Sequence, residues 1–409
     1  MKKAPSPLVS LIPIVVLVLL LFATIRTFGS DALSGGSQVS LLTTTAICIL
    51  IGMVFYKIPW KDYELAITNN IAGVATAIII LLIIGALSGI WMISGVVPTL
   101  IYYGMQIIHP SFFLASTCII CALISVMTGS SWTTIATIGI ALMGIGKAQG
   151  FEDGWIAGAI ISGAYFGDKI SPLSETTILA SSITDTPLFR HIRYMMITTV
   201  PSLIITLIIF TVAGLSHDAS NTQHIAEVAT ALNEKFHITP WLLIVPVATG
   251  ILIARKVPSI VTLFLSTLLA GVFALIFQPE LLQEISGVAV SGFHSLFKGL
   301  MMTVYGATNL HTDNAVLTDL IATRGMAGMM NTIWLILCAM CFGGAMTASG
   351  MLGSITSIFV RFMKKTVSVV GATVCSGLFL NLTTADQYIS IILTGNMFRD
   401  IYAKKGYES

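Results

Sequence analysis

The sequence predicts an all-α, polytopic membrane protein of about 10 to 12 transmembrane helices, built as two structural repeats with broken or re-entrant helices at the repeat interface. Three observations carry this expectation. Of 409 residues, 56% are apolar and only 9% charged, against roughly a quarter charged in soluble domains. Apolar runs long enough to cross a bilayer recur along the whole chain. A few clusters of Gly, Ser, Thr and Pro, some holding carboxylates, interrupt those runs. The mean hydropathy of +0.93 leaves little material for a soluble domain. A formal net charge of +2 gives no reason to expect a nucleic-acid partner. The expected partner is the lipid bilayer, and homo-oligomerisation stays open.

A hydrocarbon core about 30 Å thick needs roughly 20 apolar residues in a helix. The long candidates are Leu8–Ile25, Val39–Tyr56, Ile71–Ile93, Phe112–Met127, Tyr194–Ala213, Thr239–Ala254, Ser259–Phe277, Gly287–Tyr305, Gly328–Ala348 and Val367–Leu382. Shorter apolar pieces are Val96–Ile108, Thr133–Ile145, Trp155–Phe166, Met351–Val360 and Ser390–Phe398. Some of these are expected to be half-helices, which membranes tolerate only where they are buried in protein or line a cavity. Lys2 and Lys3 before the first run resemble the start of a signal peptide. Without a small-residue cleavage site after it, the run reads as a retained first span.

Lys57, Lys61, Lys147, Arg190, Arg193, Arg255, Lys256, Arg361, Lys364 and Lys365 are read as cytoplasmic, with the N-terminus inside. The polar loop Gly214–Lys235 and the acidic loop Gln278–Glu284 are read as external. The six cysteines all fall in apolar stretches, and Cys118/Cys121 and Cys338/Cys341 have C-x-x-C spacing. That spacing suits metal or redox chemistry. It suits equally well small thiols on one face of a helix in a packing seam.

An internal repeat is legible at a constant offset of 255, which carries Gly73 to Gly328, Gly89 to Gly344, Ser94 to Ser349, Gly95 to Gly350 and Thr128 to Thr383. It divides the chain into a first repeat, 1–237, and a second, 238–409. The polar segment Gly167–Thr177 of the first would map beyond Ser409, so the second is expected to be short at its C-terminus.

The most informative stretch is Gly163–Thr177, G-A-Y-F-G-D-K-I-S-P-L-S-E-T-T. It follows an apolar run and puts Asp168, Lys169 and Glu175 at or near membrane depth, where charges usually pair or serve transport. Pro172 lacks an N–H and disfavours helix at Ser171, so the chain should unwind there. Free carbonyls, with hydroxyls from Ser171, Ser174, Thr176 and Thr177, make an oxygen-rich set suited to a hard cation such as Na+. The bland alternative is a cytoplasmic loop with Ser174 capping the next helix.

A second break, Thr128–Thr134, also has two readings. Ser130 or Ser131 caps a helix, or the helix start at mid-membrane offers N–H groups to an anion. Its repeat mate, Asn381–Gln387, holds Thr383, Thr384 and the carboxylate Asp386. The polar stretch Asn309, His311, Thr312, Asp313 and Asn314 reads as an interfacial loop, Lys298 as a snorkelling side chain, and Asp185 as starting a turn before Pro187.

The run G-D-K-I-S-P-L-S-E-T-T-I-L-A at Gly167–Ala180, followed by Leu188–Arg193, resembles the signature of the NhaC-type sodium/proton antiporter family of the ion-transporter superfamily. Thr128–Thr134, Thr308–Gly325 and Thr383–Arg399 are also similar to that family, which continues with further membrane helix after the position of Ser409. The resemblance implies a secondary transporter in the bacterial inner (cytoplasmic) membrane that exchanges Na+ for H+. Some relatives exchange malate for lactate with coupled Na+ and H+. It places Asp168, Ser171 and Glu175 near the ion site, with Thr128, Ser130, Ser131, Thr383, Thr384 and Asp386 in the matching breaks.

The expected mechanism is competition. A carboxylate withdrawn from water holds a proton more readily, so Na+ and H+ exclude each other at Asp168 or Glu175, the expected metal ligands. Thr176 adds an oxygen, and Lys169 compensates charge when the site is empty. No cofactor is expected beyond the transported Na+ and H+. A carboxylate exchanger is the alternative. An intramembrane aspartyl protease, which uses G-x-G-D, is disfavoured because Tyr165 stands two before Gly167. No Walker-type loop suggests ATP-driven pumping.

Overall fold

The computed structural model describes residues 5–216, 222–290, 292–308, 310, 312, 318, 321–355, 366–384, 387–404 and 406. Asp386 lies outside them, as do Asn309, His311, Asp313, Asn314, Arg361, Lys364 and Lys365; Thr383 and Thr384 are described in their backbone only. Among the described residues there is no strand.

The helices are α1 (Pro7–Phe28), α2 (Gly36–Tyr56), α3 (Trp60–Gly73), α4 (Ala75–Ile93), α5 (Val96–Ile107), α6 (Phe113–Thr128), α7 (Ser131–Thr134), α8 (Ile140–Ala148), α9 (Asp153–Ile170) and α10 (Glu175–Ile183). They continue with α11 (Leu188–Leu215), α12 (Thr222–Lys235), α13 (Ile244–Ala254), α14 (Ser259–Phe277), α15 (Pro279–Ser286), α16 (Phe293–Tyr305), α17 (Met330–Ala348), α18 (Thr366–Thr384) and α19 (Gln387–Lys404). Among the described residues, seven helices are long and apolar enough to cross a membrane, and up to eight if α12 and α13, bent by 91° at their junction, make one broken span. The seven are α1, α2, α4, α6, α11, α14 and α17.

The chain divides into two compact units. One comprises Met1–Ile78, Leu179–Thr186 and Met330–Ser409; the other comprises Ile79–Ile178 and Pro187–Met329. In the first, Cys48, Tyr63, Phe342, Met346 and Met351 form the core, and Gly344 of α17 packs against the backbone of Ile67 on α3. Asp185 adopts a left-handed turn (φ 54°) with its carboxylate 3.9 Å from Arg399. In the second unit the core gathers around Trp91, Ile90, Phe113, Leu142 and Ile156. The Trp91 indole N–H donates to Ser266 Oγ at 3.1 Å, so a ring that is 1% exposed keeps its polar atom paired.

Helices α6 and α9 meet in a close seam. A Cβ on Gly163 would strike Cys118 O, and one on Gly167 would strike Ala122 O. Small residues let helix backbones approach where lipid supplies no hydrophobic drive. Cys118 and Cys121 therefore lie in a packing seam, both free and buried.

Several expected boundaries shift. Gly214–Lys235 is not simply a polar loop, since α12 occupies its end. Val228, Leu232 and Phe236, four apart, bury one face of it. Gln278–Glu284 likewise forms most of α15, with Leu281, Leu282 and Ile285 buried. The expected span Gly287–Tyr305 begins only at Phe293, because Gly287 turns the chain at φ +63°. The apolar pieces Trp155–Phe166 and Ser390–Phe398 belong to α9 and α19, each of 18 residues.

The offset of 255 carries α4 onto α17 end for end. It also carries the capping bonds that follow. Gly95 N donates to Met92 O at 3.1 Å and Gly350 N to Thr347 O at 3.0 Å, with both glycines at positive φ. Ser94 Oγ donates to Trp91 O, and Ser349 Oγ to Met346 O. The contacts correspond as well. Gly325 O lies 2.5 Å from where a Gly85 Cβ would stand, and Asn70 Nδ2 donates to Met340 O at 3.4 Å.

Candidate ion-binding site

Helix α9 ends where the sequence says it must. Ser171 takes an extended conformation (φ −75°, ψ 129°) ahead of Pro172, and α10 starts at Glu175. Helix α6 ends at Gly129, whose left-handed φ of +67° and N–H bond to Ser125 O at 2.8 Å form a helix-stop turn. Ser130 is extended and its Oγ accepts from Thr133 N at 3.2 Å, which starts α7. After α7 the helix widens into one π turn, Ile135–Gly139, a deviation frequent at functional sites.

The two breaks touch. Gly129 lies against the main chain of Leu173, where a Cβ would come 2.6 Å from Leu173 C. Ser171 Oγ donates to Val126 O at 2.8 Å, satisfying a carbonyl that the end of α6 leaves without a helical partner. Ser125 Oγ also donates to Ala164 O at 2.5 Å.

Asp168 sits in the last turn of α9, beside this crossing, and is 6% exposed. Ser131 Oγ donates to its Oδ2 at 3.5 Å, and the buried Ser174 hydroxyl is near enough to favour its ionised form. Ser174 Oγ and Thr176 Oγ1 are 3.1 Å apart. Thr128 Oγ1 donates to Ser130 O and lies 3.4 Å from Thr134 Oγ1. Lys169 and Glu175 are near enough to act on Asp168 through their charge. Lys169 is half-buried, whereas Glu175 opens α10 with its side chain exposed.

The residues singled out from sequence therefore fall into three groups. Asp168, Ser171, Thr176, Thr128, Ser130 and Ser131 lie in or beside the two contacting breaks. Glu175 and Lys169 lie at the rim of this cluster. Thr383 and Thr384 close α18, and Asp386 lies outside the described residues. Ser174 Oγ accepts from Thr177 N at 3.4 Å, as an N-cap does. Two features beside the cluster have no counterpart in the sequence reading, the Val126 carbonyl that accepts from Ser171 and the π turn Ile135–Gly139, and no local pattern signals either.

The assembled groups are oxygens: one carboxylate, several hydroxyls and unwound carbonyls. Among the described residues no three His, Cys, Asp or Glu side chains converge as a metal centre would need. Oxygen donors of this kind are the ligand type that hard cations take.

A family model described as the Na+/H+ antiporter family matches residues 163–409. The chain is 35% identical over 369 residues to the Na(+)/H(+) antiporter NhaC of Bacillus subtilis, covering 90% of this chain and 78% of that one. It is 36% identical over 367 residues to the malate-2H(+)/Na(+)-lactate antiporter of the same organism, covering 89% and 75%. It is 32% identical over 408 residues to the arginine/ornithine antiporter ArcD of Halobacterium salinarum, covering 98% and 79%. No solved structure gives a significant match.

Proposed function

The chain belongs to the Na+/H+ antiporter family, and from that membership we propose that it is a secondary transporter exchanging Na+ for H+ across the cytoplasmic membrane. It is a multi-pass protein of that membrane, a transporter rather than an enzyme, and its cargo is a small ion.

One observation carries the mechanistic reading: Asp168 is buried where two helix breaks cross, with the Ser131 hydroxyl on its carboxylate and the Ser174 hydroxyl nearby. A buried carboxylate must be neutralised, either by a proton or by a cation. Na+ binds the ionised group and takes further oxygens from Ser131, Ser174 and Thr176. A proton on the carboxyl removes its charge and a ligand atom, so each cargo excludes the other. Lys169 moderates the charge of the empty site. Thr128, Ser130 and Ser171 hold the breaks in place. Helix breaks of this kind are where transporters commonly form midplane sites.

The two-repeat division at 1–237 and 238–409 belongs to this proposal. The matched ends of α4 and α17 and their matched caps support it. Rocking of one part against another would open the site alternately to each side.

The test is Na+-dependent dequenching of a pH dye in everted vesicles with Asp168→Asn. Loss of the Na+ response is expected, and wild-type response would remove Asp168 from the mechanism. A carboxylate exchanger is the second reading, favoured by half-buried Lys169 beside the hydroxyl cluster and by the malate/lactate relative. Uptake of labelled malate into proteoliposomes, driven by a lactate gradient, separates the two.

A further inference from the structure

Helices α18 and α19 pack along a polar seam. Thr373 Oγ1 and Tyr402 Oη lie 3.1 Å apart across it. Further along, Ser390 Oγ donates to Gly377 O at 2.8 Å. Gly377 leaves room at this level, and Thr394 Oγ1 lies 3.5 Å from where its Cβ would stand.

Two hydroxyls on this helix pair have no hydrogen-bond partner. Ser376, 0% exposed, neighbours Gly377 on α18, and its Oγ is buried and unpaired. Thr394 Oγ1 on α19 is likewise buried and unpaired. Helical hydroxyls elsewhere in the chain usually return their proton to the carbonyl four residues back, as Thr373 does to Val369 and Thr137 to Thr133. Ser376 and Thr394 forgo that bond. Buried polar groups left unpaired are costly and call for an explanation. Here two of them share one helix pair.

We propose that the α18–α19 seam at Ser376, Gly377 and Thr394 is a Na+ site separate from the Asp168 cluster. The inference rests on the Na+/H+ exchange reading. Hydroxyl and carbonyl oxygens are hard ligands that replace water around a hard cation. The identified set is neutral, which favours a monovalent ion, because stripping water from a divalent ion costs far more than neutral oxygens return. Ser390 keeps Gly377 O oriented in the seam.

The test is equilibrium binding of 22Na+ to the purified full chain in detergent. The wild type should show two sites, and Asp168→Asn should keep the seam site. Ser376→Ala/Thr394→Val should keep only the Asp168 site, with at least a tenfold loss of Na+ affinity at the other. Neither change removes a hydrogen bond, so the melting temperature of the double variant should not fall; if it does, the single variants serve the same comparison. Unaltered Na+ stoichiometry and affinity in the Ser376 and Thr394 variants would overturn the seam site and mark it as a water position, leaving the Asp168 reading intact. Retention of both sites by Asp168→Asn would instead overturn the Asp168 reading.

Discussion

The hydroxyl of Ser171 donates to the main-chain oxygen of Val126 across 45 residues of sequence, at 2.8 Å. It joins one broken helix to another at the level where each unwinds. Replacing Ser171 by Ala leaves that carbonyl unpaired at a helix end. The expected cost is about 1 kcal/mol of stability, seen as a lower thermal midpoint, with exchange reduced but measurable. Unchanged midpoint and exchange would show that the bond positions nothing.

Gly129 should tolerate no side chain. Its φ of +67° favours glycine, and a Cβ would meet the Leu173 main chain. Gly129→Ala is expected to cost at least about 1 kcal/mol from backbone conformation alone. The forced separation of the two breaks should abolish Na+/H+ exchange even where membrane insertion, read by immunoblot, is normal.

Competition at Asp168 has a sign that kinetics reads. Protons occupy the carboxyl as pH falls, so the apparent KM for Na+ should rise toward low pH while the maximal rate at saturating Na+ changes less. In Asp168→Glu the response should survive in part, with a shifted pH profile. In Asp168→Asn it should vanish. A KM for wild-type exchange that does not vary with pH would argue against shared occupancy.

The α6–α9 seam should be intolerant of bulk. Gly167→Leu puts a large side chain against Ala122 O and Ser125. Overpacking of this kind costs roughly 1–3 kcal/mol or more, and it displaces Asp168 in the adjacent position. Exchange should be lost, with reduced yield of monodisperse protein on gel filtration.

The ion pair between Lys235 and Glu284, 2.9 Å long, joins α12 to α15 well away in sequence from the motif. Glu284 is exposed and Lys235 half-buried, and ion pairs at the surface contribute little. Glu284→Gln should leave exchange and the melting temperature nearly unchanged. A large loss of exchange would assign these helices a part in ion entry.

The two helix breaks of the candidate site were legible because their causes are local. Pro172 removes an N–H wherever the chain goes, and Gly129 after an apolar helix marks a stop. The segments Gly214–Lys235 and Gln278–Glu284 read as loops in sequence because α12 and α15 carry their apolar residues on one face only. Val228, Leu232 and Phe236 are too few to raise the hydropathy of a polar segment, yet they suffice to dock it. The span expected over Gly287–Tyr305 starts only at Phe293 because hydropathy does not register the left-handed turn at Gly287.

By itself the sequence determined the membrane class, most spans, the two breaks and the oxygen-rich motif. Each follows from transfer free energy or backbone chemistry acting over a few residues. Only the tertiary structure decided that Ser131 faces Asp168, that Ser171 completes the end of α6, and that Glu175 stands at the rim. Those relations depend on how closely Gly163 and Gly167 let α9 approach α6. Such an approach is set by side-chain shape between helices distant in sequence, which no local pattern records.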